Sequence, residues 1–176
     1  MRDDAHPDRA ALAAAQWRRE RPDLDPFPME VLGRLAELAH VVARDQLLPV
    51  FARFGLQHGD FDVLATLRRA GAPFALTPTA LYAATMVSSG GMTARLDRLE
   101  RAGLIIRRKH PTDRRGTLVE LAAPGRAIID AVLPVHVENE RGILEGLSPY
   151  EQAQLNGLLA KLLAHLERLG PAAPPA

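Results

Sequence analysis

The stretch that decides the fold is Thr77–Leu121, TPTALYAATMVSSGGMTARLDRLERAGLIIRRKHPTDRRGTLVEL. Threonine followed by proline opens a short helix, the hydroxyl as cap and the ring in the first turn. A small-residue turn follows. Ser88 or Ser89 is expected to cap a second helix, with Met92, Leu96 and Leu99 inward and Gly103 as its C-terminal stop. Leu104–Lys109 and Thr117–Leu121 read as two strands joined by the turn residues HPTD. Between Ser88 and Arg115 lie eight basic residues (Arg95, Arg98, Arg101, Arg107, Arg108, Lys109, Arg114, Arg115) against three acids (Asp97, Glu100, Asp113), a local charge of +5 in a chain whose formal total is +1.

A helix-turn-helix followed by a basic hairpin is a duplex reader. Its second helix enters the major groove, with the first turns at base edges. Ser88, Ser89, Gly90, Gly91 and Thr93 are small or slim enough for close approach to a phosphate backbone, and Ser89 and Thr93 carry hydroxyl donors. Met92 suits either the groove or the core. Arg98 and Arg101 sit later on the helix, where phosphate contact or solvation is expected. Arg108 adds to the positive face. At the wing tip, Arg114 and Arg115 suit the negative potential of a neighbouring minor groove, with Asp113 as the structural partner that sets the tip.

Outward from this element the chain is helical. Asp8–Arg21 forms a short helix ended by Pro22, and the link RPDLDPFP follows. From Pro28, the residues Val31, Leu32, Leu35, Leu38, Ala39 and Val42 recur at helical spacing, and Pro49 predicts a kink inside LLPVFARF. His58–Arg69 is a third helix, closed by Gly71. After the wing, one helix starts near Pro124 and ends near Gly146. Another opens on Ser148-Pro149-Tyr150-Glu151, a capping box with proline in the first helical position. On the last helix Leu155, Leu158, Leu159, Leu162, Leu163 and Leu166 share one stripe. That stripe suits the chain's own core or a second subunit. A single winged module makes few contacts, and two-fold pairing is the usual remedy, which favours a homodimer seam. The expected organisation is 1–54 for an extra helix and a first dimerisation helix, 55–122 for the winged DNA-binding lobe, 123–170 for C-terminal dimerisation helices, and 171–176 for a tail.

The bulk properties narrow the function classes. The chain has 176 residues and no cysteine, so disulfides, thiolate metal sites and thiol nucleophiles are excluded. The six histidines show no metal-ligand spacing, and nothing calls for a cofactor. No Gly-rich phosphate loop, Ser-His-Asp set or paired carboxylates point to an enzyme. No run approaches the roughly 18 apolar residues of a membrane span, and MRDDAHPDRA lacks a signal-peptide core. A cytoplasmic protein is expected. A helical protein-interaction module is the rival class, but it leaves the basic wing without a purpose.

The series LDRLERAGLI, DRR and VELAAPGR, in this order, resembles the MarR family of winged-helix regulators over roughly residues 30–168. The resemblance implies a mainly α fold with a small β-wing, dimerised through N- and C-terminal helices. It also implies a palindromic operator and release by a small molecule. Leu121-Ala122 departs from the family's Leu-Thr, in which the threonine caps the next helix, so a weaker cap is expected here. The extra helix carrying Trp17, followed by ERPDLD, is similar to the urate-responsive branch. That similarity implies a ligand set of Trp17, Asp62 in DFDVLATL, Arg95 in MTARLDRL and Arg107 in GLIIRRKH. A planar anionic purine suits an indole face, forked arginine donors, and a carboxylate that the anion repels. Each residue also has an ordinary reading: Trp17 as a packing anchor, Asp62 as a solvated helix residue, Arg95 as a phosphate contact. A phenolic, carboxylate or oxidative signal is the alternative trigger, and a repressor is the expected sign of control.

Overall fold

The computed structural model describes residues 7–86, 91–112 and 116–170. The elements run α1 (Arg9–Glu20), α2 (Phe27–Val41), a π-helical segment (Val42–Leu47), α3 (Leu48–Ala52), α4 (His58–Arg69), β1 (Ala75–Leu76), α5 (Pro78–Ala84), α6 (Met92–Arg101), β2 (Ile105–Lys109), β3 (Thr117–Leu121), α7 (Ala123–Leu144) and α8 (Pro149–Leu169). The chain is mainly helical, with a three-stranded antiparallel sheet in the order β1-β3-β2. One compact unit runs to His136 and a second begins at Val137.

The first unit is built around a core of Phe51, Leu64, Leu67, Leu81, Leu99, Ile105, Val119 and Ile129, each almost wholly removed from solvent. These residues come from α3, α4, α5, α6, the sheet and α7, so the core joins every element of the winged helix-turn-helix. Phe51 and Phe61 stack with ring centroids 4.4 Å apart. The α1 helix lies against α2 through small residues: Ala14 is buried, and Ala10 approaches Gly33. Ion pairs from Arg18 and Arg34 to Glu30 and from Arg34 to Asp8 flank that contact.

Local sequence signals explain most boundaries. Asp8 caps α1, accepting from Ala11 N at 2.8 Å. Thr77 caps α5, accepting from Ala80 N at 3.1 Å. Three expectations need correction. The break near Pro49 is a π-helical segment upstream of the proline, in which Leu48 N donates to Ala43 O. Pro49 has no N–H, and its ring crowds the carbonyl four residues back, so the preceding turn widens. The wing sheet has a third strand, with Ala75 opposite Glu120 and Leu76 opposite Val119. Finally, α6 begins at Met92 with Gly91 as N-cap in the left-handed region at φ 81°. A serine in that conformation would be strained, so a glycine holds the capping position, and the expected caps Ser88 and Ser89 lie outside the described residues.

In the second unit, Ser148 caps α8 as expected. Its N–H donates to Glu151 Oε2 at 2.8 Å, and Gln152 Nε2 closes the turn on the carbonyls of Leu144 and Leu147.

Candidate nucleic-acid interface and ligand site

The reading helix α6 buries Met92, Leu96 and Leu99. Met92 therefore belongs to the core, and Thr93 and Ala94 are the exposed residues of the first turn. Gly91 is exposed as well. Ser88, Ser89, Gly90, Asp113, Arg114 and Arg115 lie outside the described residues.

The arginines of α6 and the wing differ in their partners. Arg98 reaches back to α4, where Nη2 donates to Asp60 Oδ1 at 2.5 Å and Nε to Oδ2 at 3.3 Å. Asp60 is 3% exposed and also accepts from Gln57 N at 2.9 Å, so one carboxylate caps α4 and holds the reading helix. Arg101 is exposed and donates from Nε to Asp97 O at 3.2 Å. Arg107 donates from Nη2 to Asp97 Oδ1 and from Nη1 to Glu100 Oε2, both at 2.6 Å, and Glu100 Oε1 accepts the Arg107 N–H. The hydrogen bond to Asp97 raises the Arg107 guanidinium above its ordinary range against the opposing effect of burial, and Glu100 adds to the rise. The first wing strand is thereby clamped to α6. Arg108 points away from that clamp and pairs with Glu120 across the ladder at 2.8 Å.

Arg95 has a different setting. Its guanidinium lies flat against the backbone of α4 at Gly59. A Cβ built there would sit 2.1 Å from Nε and 2.2 Å from Cζ, so any other residue would push the arginine aside. Arg95 Nη1 is buried with no hydrogen-bond partner among the described residues. It borders an open cavity of about 700 Å³ whose wall includes Leu48, Ala52, Leu56, Gln57, Gly59 and Arg98.

The four residues of the proposed ligand set are thus distributed. Arg95 lines the cavity. Arg107 is on the wing clamp. Asp62, at 9% exposure, accepts the Met86 N–H through Oδ2 at 2.8 Å, which ties α4 to the end of α5. Trp17 is on α1, 44% exposed, and is not among the residues lining that cavity. Asp60 and Gly59 were not singled out from the sequence. The available signal was the Gln57-x-x-Asp60 spacing of a capping box, which marks a helix start but says nothing of the arginine partner. Among the described residues no group of three His, Asp or Glu side chains is arranged to hold a metal, and no helix is long and apolar enough to cross a membrane.

A model of the MarR family matches residues 54–116, the lobe just described. The HTH-type transcriptional regulator PecS of Dickeya dadantii (strain 3937) is 44% identical over 151 residues, covering 86% of this chain and 90% of that protein. The chain belongs to the MarR family. The multiple antibiotic resistance protein MarR of Escherichia coli (strain K12) is 32% identical over 134 residues, spanning 75% of this chain and 90% of the relative. A crystal structure of a mutant MarR from E. coli complexed with operator DNA superposes with a TM-score of 0.67 at 28% identity, over 84% of this chain and 97% of that one. This MarR-family protein is accordingly a DNA-binding transcriptional regulator rather than an enzyme. Its α6 and β2–β3 hairpin are the second helix and the wing of a winged helix-turn-helix fold.

Proposed function

We propose that this regulator is a repressor that binds a palindromic operator as a homodimer and releases it on binding a small anionic ligand, urate or a related purine. In this reading residues 55–122 form the lobe that meets DNA, and 1–54 with 123–170 form the dimer body. Thr93, Gly91 and Arg101 face the duplex together with the turn before α6 and the wing tip.

The observation that carries the ligand half is Arg95, half-buried at the edge of an open cavity, whose buried Nη1 has no hydrogen-bond partner among the described residues. Leaving such a donor unsatisfied costs about 1–3 kcal/mol, more for charged groups, which an anionic acceptor would recover. Trp17 supplies an aromatic face. Asp62 supplies the carboxylate that an incoming anion repels. Because Asp62 holds the Met86 amide, its displacement loosens the segment leading into α6. Arg107, tied to Asp97 and Glu100, carries that motion to the wing. The ligand thereby has different contacts in the two states, as a switch requires. The chain has no cysteine, so an oxidative trigger could not act through a thiol.

The test is a gel shift of the full chain on a duplex from its own upstream region, titrated with urate and with xanthine. Wild-type protein is expected to bind and to be released by one of the purines. Arg95→Ala is expected to need at least about tenfold more ligand for release, the loss of one charge-assisted contact. Failure to bind any duplex would sink the regulator reading. Binding without purine release would sink the ligand class, and unchanged release from Arg95→Ala would sink the pocket.

A further inference from the structure

We propose that the groove between α5 and α6 seats one strand of the duplex, with the hydroxyls of Tyr82 and Thr79 hydrogen-bonded to its phosphates. The groove holds about 620 Å³ and is lined by Thr79 and Tyr82 from α5 and by Gly91, Thr93 and Ala94 from the start of α6. It is continuous with the exposed first turn of the reading helix, and among the described residues no acidic side chain lines it. An anionic strand meets three hydroxyls there and no opposing charge.

The placement follows from α5 itself. Leu81 is fully buried in the core, which turns its neighbour Tyr82 outward to 46% exposure. The other hydroxyls of this segment are already used: Thr77 caps the helix, and Thr85 Oγ1 donates to Tyr82 O. Thr79 and the Tyr82 phenol have no hydrogen-bond partner among the described residues. In a helix-turn-helix the first helix crosses the sugar-phosphate backbone while the second enters the groove. Contacts from Thr and Tyr hydroxyls to phosphates set position and register without reading sequence. Tyr82 and Thr79 are therefore positioning residues, distinct from the base-facing Thr93. The inference rests on the duplex-binding reading above.

The two residues are tested with Tyr82→Phe and Thr79→Val, which keep shape and remove only the hydroxyl. Dissociation constants of the full chain are measured by fluorescence anisotropy on a duplex selected from a random pool by the wild-type protein, and on an unrelated duplex, across a salt series. Each variant is expected to bind both duplexes about tenfold more weakly, a charge-assisted hydrogen bond lost in each half-site. The slope of log affinity against log salt should stay unchanged, because no cation is removed. A methylphosphonate at one backbone position per half-site should reproduce the Tyr82→Phe loss in wild type and add nothing in the variant. Unaltered affinity in both variants, a loss confined to the selected duplex, or additive effects of variant and methylphosphonate at every position would overturn the assignment while leaving duplex binding intact. A wild-type chain that bound neither duplex would overturn both readings together.

Discussion

Asp60 shows how much one side chain can be asked to do. Its carboxylate closes the first turn of α4 and engages Arg98 through two nitrogens while 3% exposed. Removing one partner of a buried pair costs about 3–5 kcal/mol, but Arg98 keeps a side-chain exposure of 36% and can be rehydrated. Asp60→Ala is therefore expected to lower unfolding free energy by about 2–3 kcal/mol. Asp60→Asn, which can still accept from Gln57 N, should cost less. Urea denaturation measures both, and a loss below about 0.5 kcal/mol for the alanine variant would show the pair to be idle. The residue scale is also where sequence reading was weakest. DFDVLATL carries two carboxylates, Asp60 and Asp62, of which only Asp62 was singled out from the sequence, and a helix puts the two on different faces. Only the packed structure shows that Asp60 faces Arg98 while Asp62 faces the Met86 amide. The flat approach of Arg95 to Gly59 was equally invisible, since it depends on the spacing between two helices.

Among the elements, α8 has the most self-contained start. Ser148 and Glu151 satisfy each other reciprocally, and the Ser148 hydroxyl, then its N–H, hold the Glu151 carboxyl below the ordinary glutamate range. A depressed folded value means that this stabilisation is present above the unfolded value near 4.5 and is lost as pH falls through the lower folded value. Glu151→Gln is thus expected to reduce hydrogen-exchange protection in the first turn of α8 near neutral pH, and the difference from wild type should close in acid. A difference that persisted undiminished in acid would contradict the cap. Such boundaries were legible because the signals are local, as with Thr77-Pro78 at the start of α5 and Pro22 after the end of α1. The third strand was not, because two residues acquire strand character only by pairing with β3. The start of α6 was missed because a left-handed glycine took the position that a serine cap would normally claim.

At the scale of the molecule, the described chain leaves large apolar faces uncovered. On α2, Phe27, Met29, Leu32 and Leu38 are each more than half exposed, and no residue of that helix is buried. On α8, Leu158, Leu163, Leu166 and Leu169 are likewise more than half exposed. Exposed apolar faces of this kind mark an interaction surface, and the homodimer proposed above is the partner that covers them. Leu159→Arg combined with Leu163→Arg is expected to convert a dimer to a monomer by light scattering. Helical content should be unchanged, because neither side chain belongs to the chain's own core, and duplex affinity should fall at least about tenfold as paired half-sites are lost. A wild-type chain monomeric at micromolar concentration would refute the pairing. The winged-helix architecture itself was legible at this scale, since periodicity and turn chemistry repeat along the whole chain. The faces were legible as stripes but not as surfaces, because a stripe does not say what lies opposite.

The widened turn at Val42–Leu47 sits between two helices with opposite fates: α2 buries nothing, while α3 buries Val50 and Phe51. One additional residue in a turn advances the helix by about 100°. The segment thus acts as a phase shifter. Upstream of it the apolar face looks outward, and downstream the next apolar residues are rotated into the chain's own interior. One continuous helical stretch can in this way anchor the chain's own core at one end and offer an apolar face for the proposed partner at the other.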